Sequence, residues 1–320
     1  MSLSVNNLTV YYQTLQGQVK ALEDVTFNLA DGEIMGLAGE SGCGKTTLGF
    51  SLIYLSERMR YIKGEVKLNA DIIPIWDNRK MDRYRYQDIS IIPQYAMSAM
   101  NPTKKIGKMV KDLVRGRGLD YDQIEPEFIR RIRLVKLSED ILKMYPIELS
   151  GGMKQRMVMV ISTLLNPELL IADEITSALD VSTQKAIAEM LVDFRNRQFL
   201  NSMIVITHDI SILYQIADSI MVMYAGQLSE KGPRDTIINS PKHPYTKLLI
   251  SSLPKIGIKY EEEKLTGIPG KPPLLLNPPV GCRFRDRCPV SFAKCKEVPP
   301  FVEIEKDHFV ACWKVAEVYV

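Results

Sequence analysis

The chain has 320 residues, of which 46% are hydrophobic and 25% are charged, as in an ordinary globular protein with a sizeable core. Its net charge of +3 is too small to predict nucleic-acid binding or electrostatic capture by an anionic membrane. No apolar run approaches the roughly 18 residues that span a bilayer, and the N-terminus does not read as a signal peptide. We therefore expect an intracellular chain, which other proteins hold in place if it works at a membrane.

Two strands are predicted at residues 8–12 and 20–29, and together they resemble part of an antiparallel side sheet. Tyr12, at the end of the first, could offer its ring as a platform for an adenine base. An aromatic residue on a strand also commonly packs into the core, so both interpretations of Tyr12 remain open at this point.

A phosphate-binding loop is predicted at residues 39–46, where GESGCGKT fits the pattern G-x-x-x-x-G-K-[ST] between an apolar strand and a helix start. Glycines let the backbone N–H groups point at phosphate oxygens, Lys45 would reach the outer phosphates, and the Thr46 hydroxyl would bind Mg²⁺. We interpret Cys43 as a small residue of the loop. The residues predicted to surround the nucleotide here are Gly39, Ser41, Gly42, Cys43, Gly44, Lys45, Thr46 and Thr47.

Strands alternate with helices through the middle of the chain, which predicts a mostly parallel sheet covered on both faces. Strands are expected at 64–69, 88–93, 168–173 and 203–207, a hairpin at 219–231, and an all-helical insertion at about 102–152. Ligands of such sheets bind beyond the carboxyl ends of the strands, where the phosphate loop, Asp173 and His208 fall.

Two further stretches suit ATP chemistry. Asp173 and Glu174 end a strand, and ATP hydrolysis needs one acid for Mg²⁺ and another group to orient or deprotonate water. Ser150, Gly151 and Gly152 open a helix and could approach a second anion, although a glycine-rich helix cap without a ligand looks the same.

The whole set resembles the nucleotide-binding subunit of an ATP-binding-cassette (ABC) transporter over residues 4–253. That resemblance implies an α/β P-loop NTPase core with an antiparallel β subdomain, a helical insertion and a Cys/Pro-rich C-terminal extension. It identifies Gln94 as the Q-loop, 149–155 as the signature, 177–180 with Asp180 as the D-loop, and His208 as the switch histidine. The signature has Met153 where the superfamily usually has Gln, as in the oligopeptide/dipeptide importer subfamily, and Ile175 stands where Pro is usual.

By that resemblance, two subunits dimerise head to tail, and the signature of one closes on ATP held by the other. Glu174 would act as the base and His208 would contact the γ-phosphate. Gln94 and Asp173 would bind Mg²⁺ together with Thr46. Gln94 would also respond to the presence of the metal and the γ-phosphate and transmit this to the helical insertion, which would bind the membrane subunits.

The C-terminal residues 254–320 are rich in proline and resemble the tail of the same importer subfamily. Cys282, Cys288, Cys295 and Cys312 have the spacing C-x5-C-x6-C-x16-C. Disulfides are disfavoured inside cells, four thiolates suit a metal, and the spacing differs from the paired C-x2-C of a zinc ribbon. The resemblance implies a [4Fe–4S] cluster, with Zn²⁺ or plain buried cysteines as alternatives.

The resulting expectation is a nucleotide-binding domain at 1–253, a C-terminal extension at 254–320, and the ATPase of an importer of di- or oligopeptides or related oligomeric solutes such as oligosaccharides. The chain would lie peripherally at the cytoplasmic face of the membrane. Its partners there would be an identical or paralogous ATPase, two transmembrane permeases and, indirectly, an extracellular solute-binding protein. A soluble cassette ATPase acting on nucleic acid or ribosomes is the alternative, but it predicts a basic stripe, a second cassette or a long coiled-coil insertion. A phosphate-loop kinase would leave residues 150–155 unexplained.

Overall fold

A computed structural model describes residues 2–94, 100–175, 180–252 and 267–319, which form two β-sheets with helices packed around them. The strands are β1 (Leu3–Thr14), β2 (Gly17–Leu29), β3 (Ile34–Ala38), β4 (Met59–Leu68), β5 (Asp71–Ile72), β6 (Ile89–Ile92), β7 (Leu169–Asp173), β8 (Ser202–Ile206), β9 (Ser219–Tyr224), β10 (Gln227–Pro233), β11 (Val302–Glu305) and β12 (His308–Val310). The helices are α1 (Lys45–Ser51), α2 (Asn78–Met81), α3 (Ile106–Gly116), α4 (Tyr121–Leu134), α5 (Gly151–Thr163), α6 (Val181–Asn196), α7 (Ile210–Ile216), α8 (Arg234–Asn239), α9 (Pro244–Ser251) and α10 (Trp313–Tyr319). None of the helices in these ranges is long and apolar enough to cross a membrane.

The side sheet has the order β2-β1-β4-β5 and is antiparallel, which confirms the predicted β subdomain. Its strands are longer than the sequence pattern indicates. β4 begins at Met59 rather than at residue 64, because it pairs with β1 from Tyr12–Met59 to Leu3–Leu68. β2 is an edge strand, so part of its backbone is open to other segments of the chain.

The central sheet has the order β11-β12-β10-β9-β3-β8-β7-β6, with β3, β6, β7, β8 and β9 parallel to one another. Every residue of β3, β7 and β8 is buried, since helices or the side sheet cover both faces and the strands are nearly continuous apolar runs. This confirms the predicted α/β core. The carboxyl ends of β3 and β7 bring the phosphate loop beside Asp173.

Residues 100–152, all of which the structure describes, contain helices and turns without a strand, as the sequence predicts. Ile106, Val110, Phe128 and Ile132 from α3 and α4 are fully buried in the larger core cluster. Arg131 is also buried: it bonds to Glu127, to the Thr163 carbonyl and to Asn166, and its guanidinium lies 4.0 Å from the Phe199 ring centre. These contacts attach the helical insertion to the core.

The C-terminal residues 267–319 pack directly on the cassette. The β11–β12 hairpin, which the sequence pattern does not reveal, extends the central sheet because β12 pairs with β10. Behind this pair, buried Glu230 accepts hydrogen bonds from His308 Nε2 at 2.8 Å and from two backbone N–H groups. The predicted domain boundary after residue 253 lies outside the described residues, so it stays a prediction.

Candidate active site

The phosphate loop joins β3 to α1 in a tight left-handed path. Gly44, the residue before α1, has φ +109°, and a Cβ there would lie 2.5 Å from the Ala21 carbonyl oxygen. Only glycine fits such a position without moving the backbone. The loop therefore curls against β2 and directs the start of α1 toward its own concave side.

Lys45 lies at the floor of this loop and is only 6% exposed. Its ammonium donates to the carbonyls of Gly39 (2.7 Å) and Glu40 (3.1 Å), and it lies 3.8 Å from Cys43 Sγ. These contacts hold a positive charge where outer phosphates would sit. The Cys43 side chain is buried beneath the loop, as expected for a small residue there, and burial raises the pKa of its thiol.

Asp173 and Thr46 meet at the end of β7. Thr46 Oγ1 donates to Asp173 Oδ1 at 3.3 Å, while Asp173 Oδ2 is buried without a hydrogen-bond partner among the described residues. Burial raises the pKa of Asp173 to about 6, an effect that the Thr46 hydrogen bond opposes and the nearby Glu174 reinforces. An unpaired, buried carboxylate oxygen beside a threonine hydroxyl fits a divalent cation such as Mg²⁺.

Glu174 connects the other predicted catalytic side chains. Its Oε2 accepts from Gln94 Nε2 at 2.7 Å, and its Oε1 lies 3.5 Å from His208 Nδ1. The backbone of Glu174 is left-handed (φ +48°), and its N–H donates to the Ile206 carbonyl. This turn off the end of β7 brings three residues that are far apart in the sequence into one cluster.

Gln94 and Glu174 line a pocket of about 340 Å³, whereas Asp173 and His208 are not among its lining residues. It is lined by Tyr12, Val19, Ala21, Ser41, Gly42, Gly44, Lys45, Thr46, Thr47, Gln94, Glu174 and Leu275. Tyr12 is half-buried: it lines the pocket, with its hydroxyl 3.4 Å from Thr47 Oγ1, and it also packs against the smaller core cluster. The described pocket lining thus combines charged and polar loop residues with apolar side chains.

The signature residues do not reach this pocket. Ser150 and Gly151 are exposed and Gly152 is partly exposed; Ser150 Oγ accepts from Met153 N at 3.3 Å and so caps α5. Asp180 caps α6 and accepts hydrogen bonds from Ser182 and Thr183, which lower its pKa. The predicted D-loop residues 177–179 lie outside the described residues.

The four C-terminal cysteines line a single cavity, together with residues that include Phe284, Phe292, Trp313 and His243. All four are free thiols. Burial raises the pKa of Cys282 to about 11, and it also raises those of Cys288 and Cys312. Within the parts of the chain that the structure describes, no three or more His, Cys, Asp or Glu side chains are arranged to hold a metal ion.

Comparison with known proteins decides the family. The ABC transporter family matches residues 22–177, and the family "Oligopeptide/dipeptide transporter, C-terminal region" matches residues 229–295. The dipeptide transport ATP-binding protein DppD of Bacillus subtilis is 39% identical, over 97% of this chain and 94% of its own length. The chain belongs to the oligopeptide/dipeptide group of ABC ATP-binding proteins. The predicted resemblance is therefore confirmed, and the chain is an ABC-type ATPase, for which ATP and Mg²⁺ are expected.

Other ABC proteins agree with this assignment. The oligopeptide transport ATP-binding protein OppD of Salmonella typhimurium is 36% identical, over 98% of this chain and 94% of its own length. Among solved structures, the dimeric MJ0796 cassette in a post-hydrolysis state with ADP and Pi has a TM-score of 0.63 at 22% identity. The aligned region covers 72% of this chain and 98% of the MJ0796 chain. This similarity supports the ABC cassette fold.

Two residues near the ATPase pocket escape the sequence patterns. Leu275 belongs to the extension yet lines the pocket, and Arg287 of the extension forms an ion pair with Glu40 of the phosphate loop. The first lies in a plain Leu-Leu-Leu run and the second between two cysteines, so neither matches an ATP-site motif. Glu40 is an acid within the phosphate loop, and its need for a basic partner is the one signal in the sequence that points toward a residue such as Arg287.

Proposed function

We propose that this chain hydrolyses Mg·ATP in a head-to-tail pair of cassettes and thereby drives import of dipeptides, oligopeptides or related oligomeric solutes. The observation that carries the proposal is the one-sided pocket. The phosphate loop, Lys45 and Glu174 line it, and Asp173 is hydrogen-bonded to Thr46 of that lining, whereas the exposed signature at the start of α5 is absent from it. A second cassette, identical or paralogous, would supply that signature from outside.

The roles of the residues follow from their positions. Lys45 and the loop amides would hold the β- and γ-phosphates. Thr46 and Asp173 would hold Mg²⁺, which when bound neutralises charge that develops on the phosphate oxygens. Glu174 would orient the attacking water and take its proton, and Gln94 and His208 lie within reach of that carboxylate to position it.

We infer that this chain lies peripherally at the cytoplasmic face of the membrane, where it binds two transmembrane permeases that receive the solute from an extracellular solute-binding protein. Support comes from the family, whose relatives carry oligopeptide and dipeptide transport in their names. The helical insertion 102–152 next to Gln94 would grip the permeases, so that the state of the γ-phosphate reaches the membrane.

Lys45→Met tests the transport function in cells that lack their own copy of the chain. We expect uptake of a labelled tripeptide to fall to the level of those cells, because the pocket loses its phosphate-binding charge. Lys185→Met, on the exposed face of α6, removes the same charge elsewhere and should transport normally. Normal uptake with Lys45→Met, or purification of the wild type without any multi-span membrane protein, would contradict the proposal and favour a soluble ATPase.

We also infer that the four-cysteine cavity holds a [4Fe–4S] cluster, with Zn²⁺ as the alternative. Four free thiols line one apolar cavity, and a [4Fe–4S] cluster takes four cysteine thiolates, one for each iron. Burial raises the pKa of Cys282 and so favours its neutral thiol, and a bound cation would stabilise the thiolate instead.

Anaerobic purification tests the cluster. The wild type should contain iron and acid-labile sulfide and show a visible absorption band that dithionite bleaches. Cys282→Ser should lose this band, and Cys43→Ser should keep it, because Cys43 is the cysteine outside the cavity. Stoichiometric zinc, or a folded protein without metal, would refute the cluster.

A further inference from the structure

A segment of the C-terminal extension, residues 268–276, reaches the open edge of the side sheet at Leu275; we call it the strap. Its Leu275 carbonyl accepts a hydrogen bond from the Lys20 N–H of β2 at 2.8 Å. Val19 and Ala21, the neighbours of Lys20, line the ATPase pocket, and so does Leu275. The strap therefore adds one residue of the extension to the pocket wall.

Arg287 holds the other end of the strap against the phosphate loop. Its Nε donates to the Pro269 carbonyl at 2.7 Å, and its Nη2 lies 3.3 Å from the Ile268 carbonyl. The same guanidinium makes a two-point ion pair with Glu40 at 2.7 and 3.0 Å. The guanidinium is nearly buried, and this pairing raises its pKa. A planar, charge-assisted pair of this kind fixes the strap relative to the loop.

The pocket lining contains two chemically different sets of residues. Ser41 to Thr47 provide backbone N–H groups, hydroxyls and the Lys45 ammonium, which suit phosphates. Tyr12, Val19, Ala21 and Leu275 provide an aromatic ring and aliphatic side chains, which suit a planar, weakly polar base. Leu275 is the member of this apolar set that comes from the C-terminal extension.

We propose that Leu275 contacts the nucleoside part of ATP, so that the C-terminal extension forms part of the nucleotide site. The inference rests on the proposed ATPase function and adds a binding residue to it. It predicts a separation of effects: loss of Leu275 weakens binding of a ligand with a base and leaves binding of the phosphates alone unchanged.

Titration of the full-length chain with ATP and with inorganic tripolyphosphate, both with Mg²⁺, tests this separation. Leu275→Ala should weaken ATP binding by about tenfold, as the loss of aliphatic contact in a binding pocket does, and tripolyphosphate binding should not change. Leu274→Ala is the matched control, because Leu274 is 82% exposed and precedes Leu275 in the same strap. Leu275→Met restores apolar contact and should bind ATP like the wild type.

The possible failures are distinct. If the wild type binds ATP but Leu275→Ala and Leu274→Ala bind it equally, the contact with the nucleoside is refuted. Equal weakening of ATP and tripolyphosphate by Leu275→Ala would also refute it, since that result points to a disturbed loop. If the unaltered chain binds no ATP, the proposed function fails and this inference fails with it.

Discussion

Replacing Glu174 with glutamine is expected to lower ATP turnover by roughly a thousandfold, the usual size of a general-base contribution. The substitution keeps the shape of the side chain and its contact with Gln94, but an amide cannot accept a proton from water. Because Lys45, Thr46 and Asp173 are untouched, ATP binding should stay within about twofold of the wild type. Turnover is measured with the partner subunits present, and binding by titration.

Glu189→Gln is the matched control for this experiment. It makes the same chemical change on α6, where the side chain of Glu189 is 67% exposed and pairs only weakly with Lys185. We expect unchanged turnover. If Glu174→Gln hydrolyses ATP at the control rate, the base is another residue and the assignment of Glu174 is wrong. If it loses ATP binding instead, Glu174 is a positioning residue of the pocket.

The parts of the site that the sequence predicts are those encoded by short, continuous segments. A phosphate loop, a strand that ends in two acids and a glycine-rich helix cap each carry their own pattern, because the chemistry needs fixed spacings along one stretch of backbone. The approach of Asp173 to Thr46 follows from the parallel sheet, since both lie at the carboxyl ends of strands. The order of strands and loops along the chain is therefore enough to predict that these residues lie at the same edge of the sheet.

The contacts between the extension and the cassette could not be predicted in the same way. Lys20 and Leu275, or Glu40 and Arg287, are more than 240 residues apart, and each pair forms only because tertiary packing brings two edges together. A single sequence has no periodicity that records such contacts. For the same reason the sequence does not reveal the β11–β12 hairpin: its strands are only four and three residues long, and β12 pairs with the edge of β10.

The extension and the ATPase core are joined at several points around the phosphate loop. Arg283, next to Cys282, donates to the Ala225 carbonyl and to the Glu23 carboxylate. The N–H of Gly226, beside that carbonyl, donates to the Cys43 carbonyl in the loop at 2.7 Å. Together with the Arg287–Glu40 pair, these bonds link the cysteine cavity to the loop through two guanidinium groups.

Gly39→Ala should have the largest effect on the loop itself. Gly39 has φ +147°, and an added Cβ would lie 2.3 Å from the Met223 carbonyl oxygen and 2.8 Å from Cys43 Sγ. The backbone must shift, because neither β9 nor the buried cysteine can yield by that amount. Overpacking of this kind lowers the free energy of unfolding by about 3 kcal/mol. If the loop moves to relieve the strain, the loss appears in binding instead. ATP affinity then falls by roughly a hundredfold, because about 1.4 kcal/mol of binding free energy corresponds to a tenfold change in Kd.

Gly118→Ala is the control for Gly39→Ala, because it places an alanine at a positive φ without steric overlap. Gly118 also has a positive φ of +73°, but nothing lies within 4 Å of a Cβ built there, and it is far from the pocket along the chain. The left-handed conformation alone costs an alanine about 1 kcal/mol, so this variant should lose that much stability and keep full ATP affinity. Denaturant titration and ATP titration of both variants give the comparison. A Gly39→Ala chain that matches Gly118→Ala in both measurements would show that the loop tolerates the added methyl group, and that its path does not depend on the close approach to Met223.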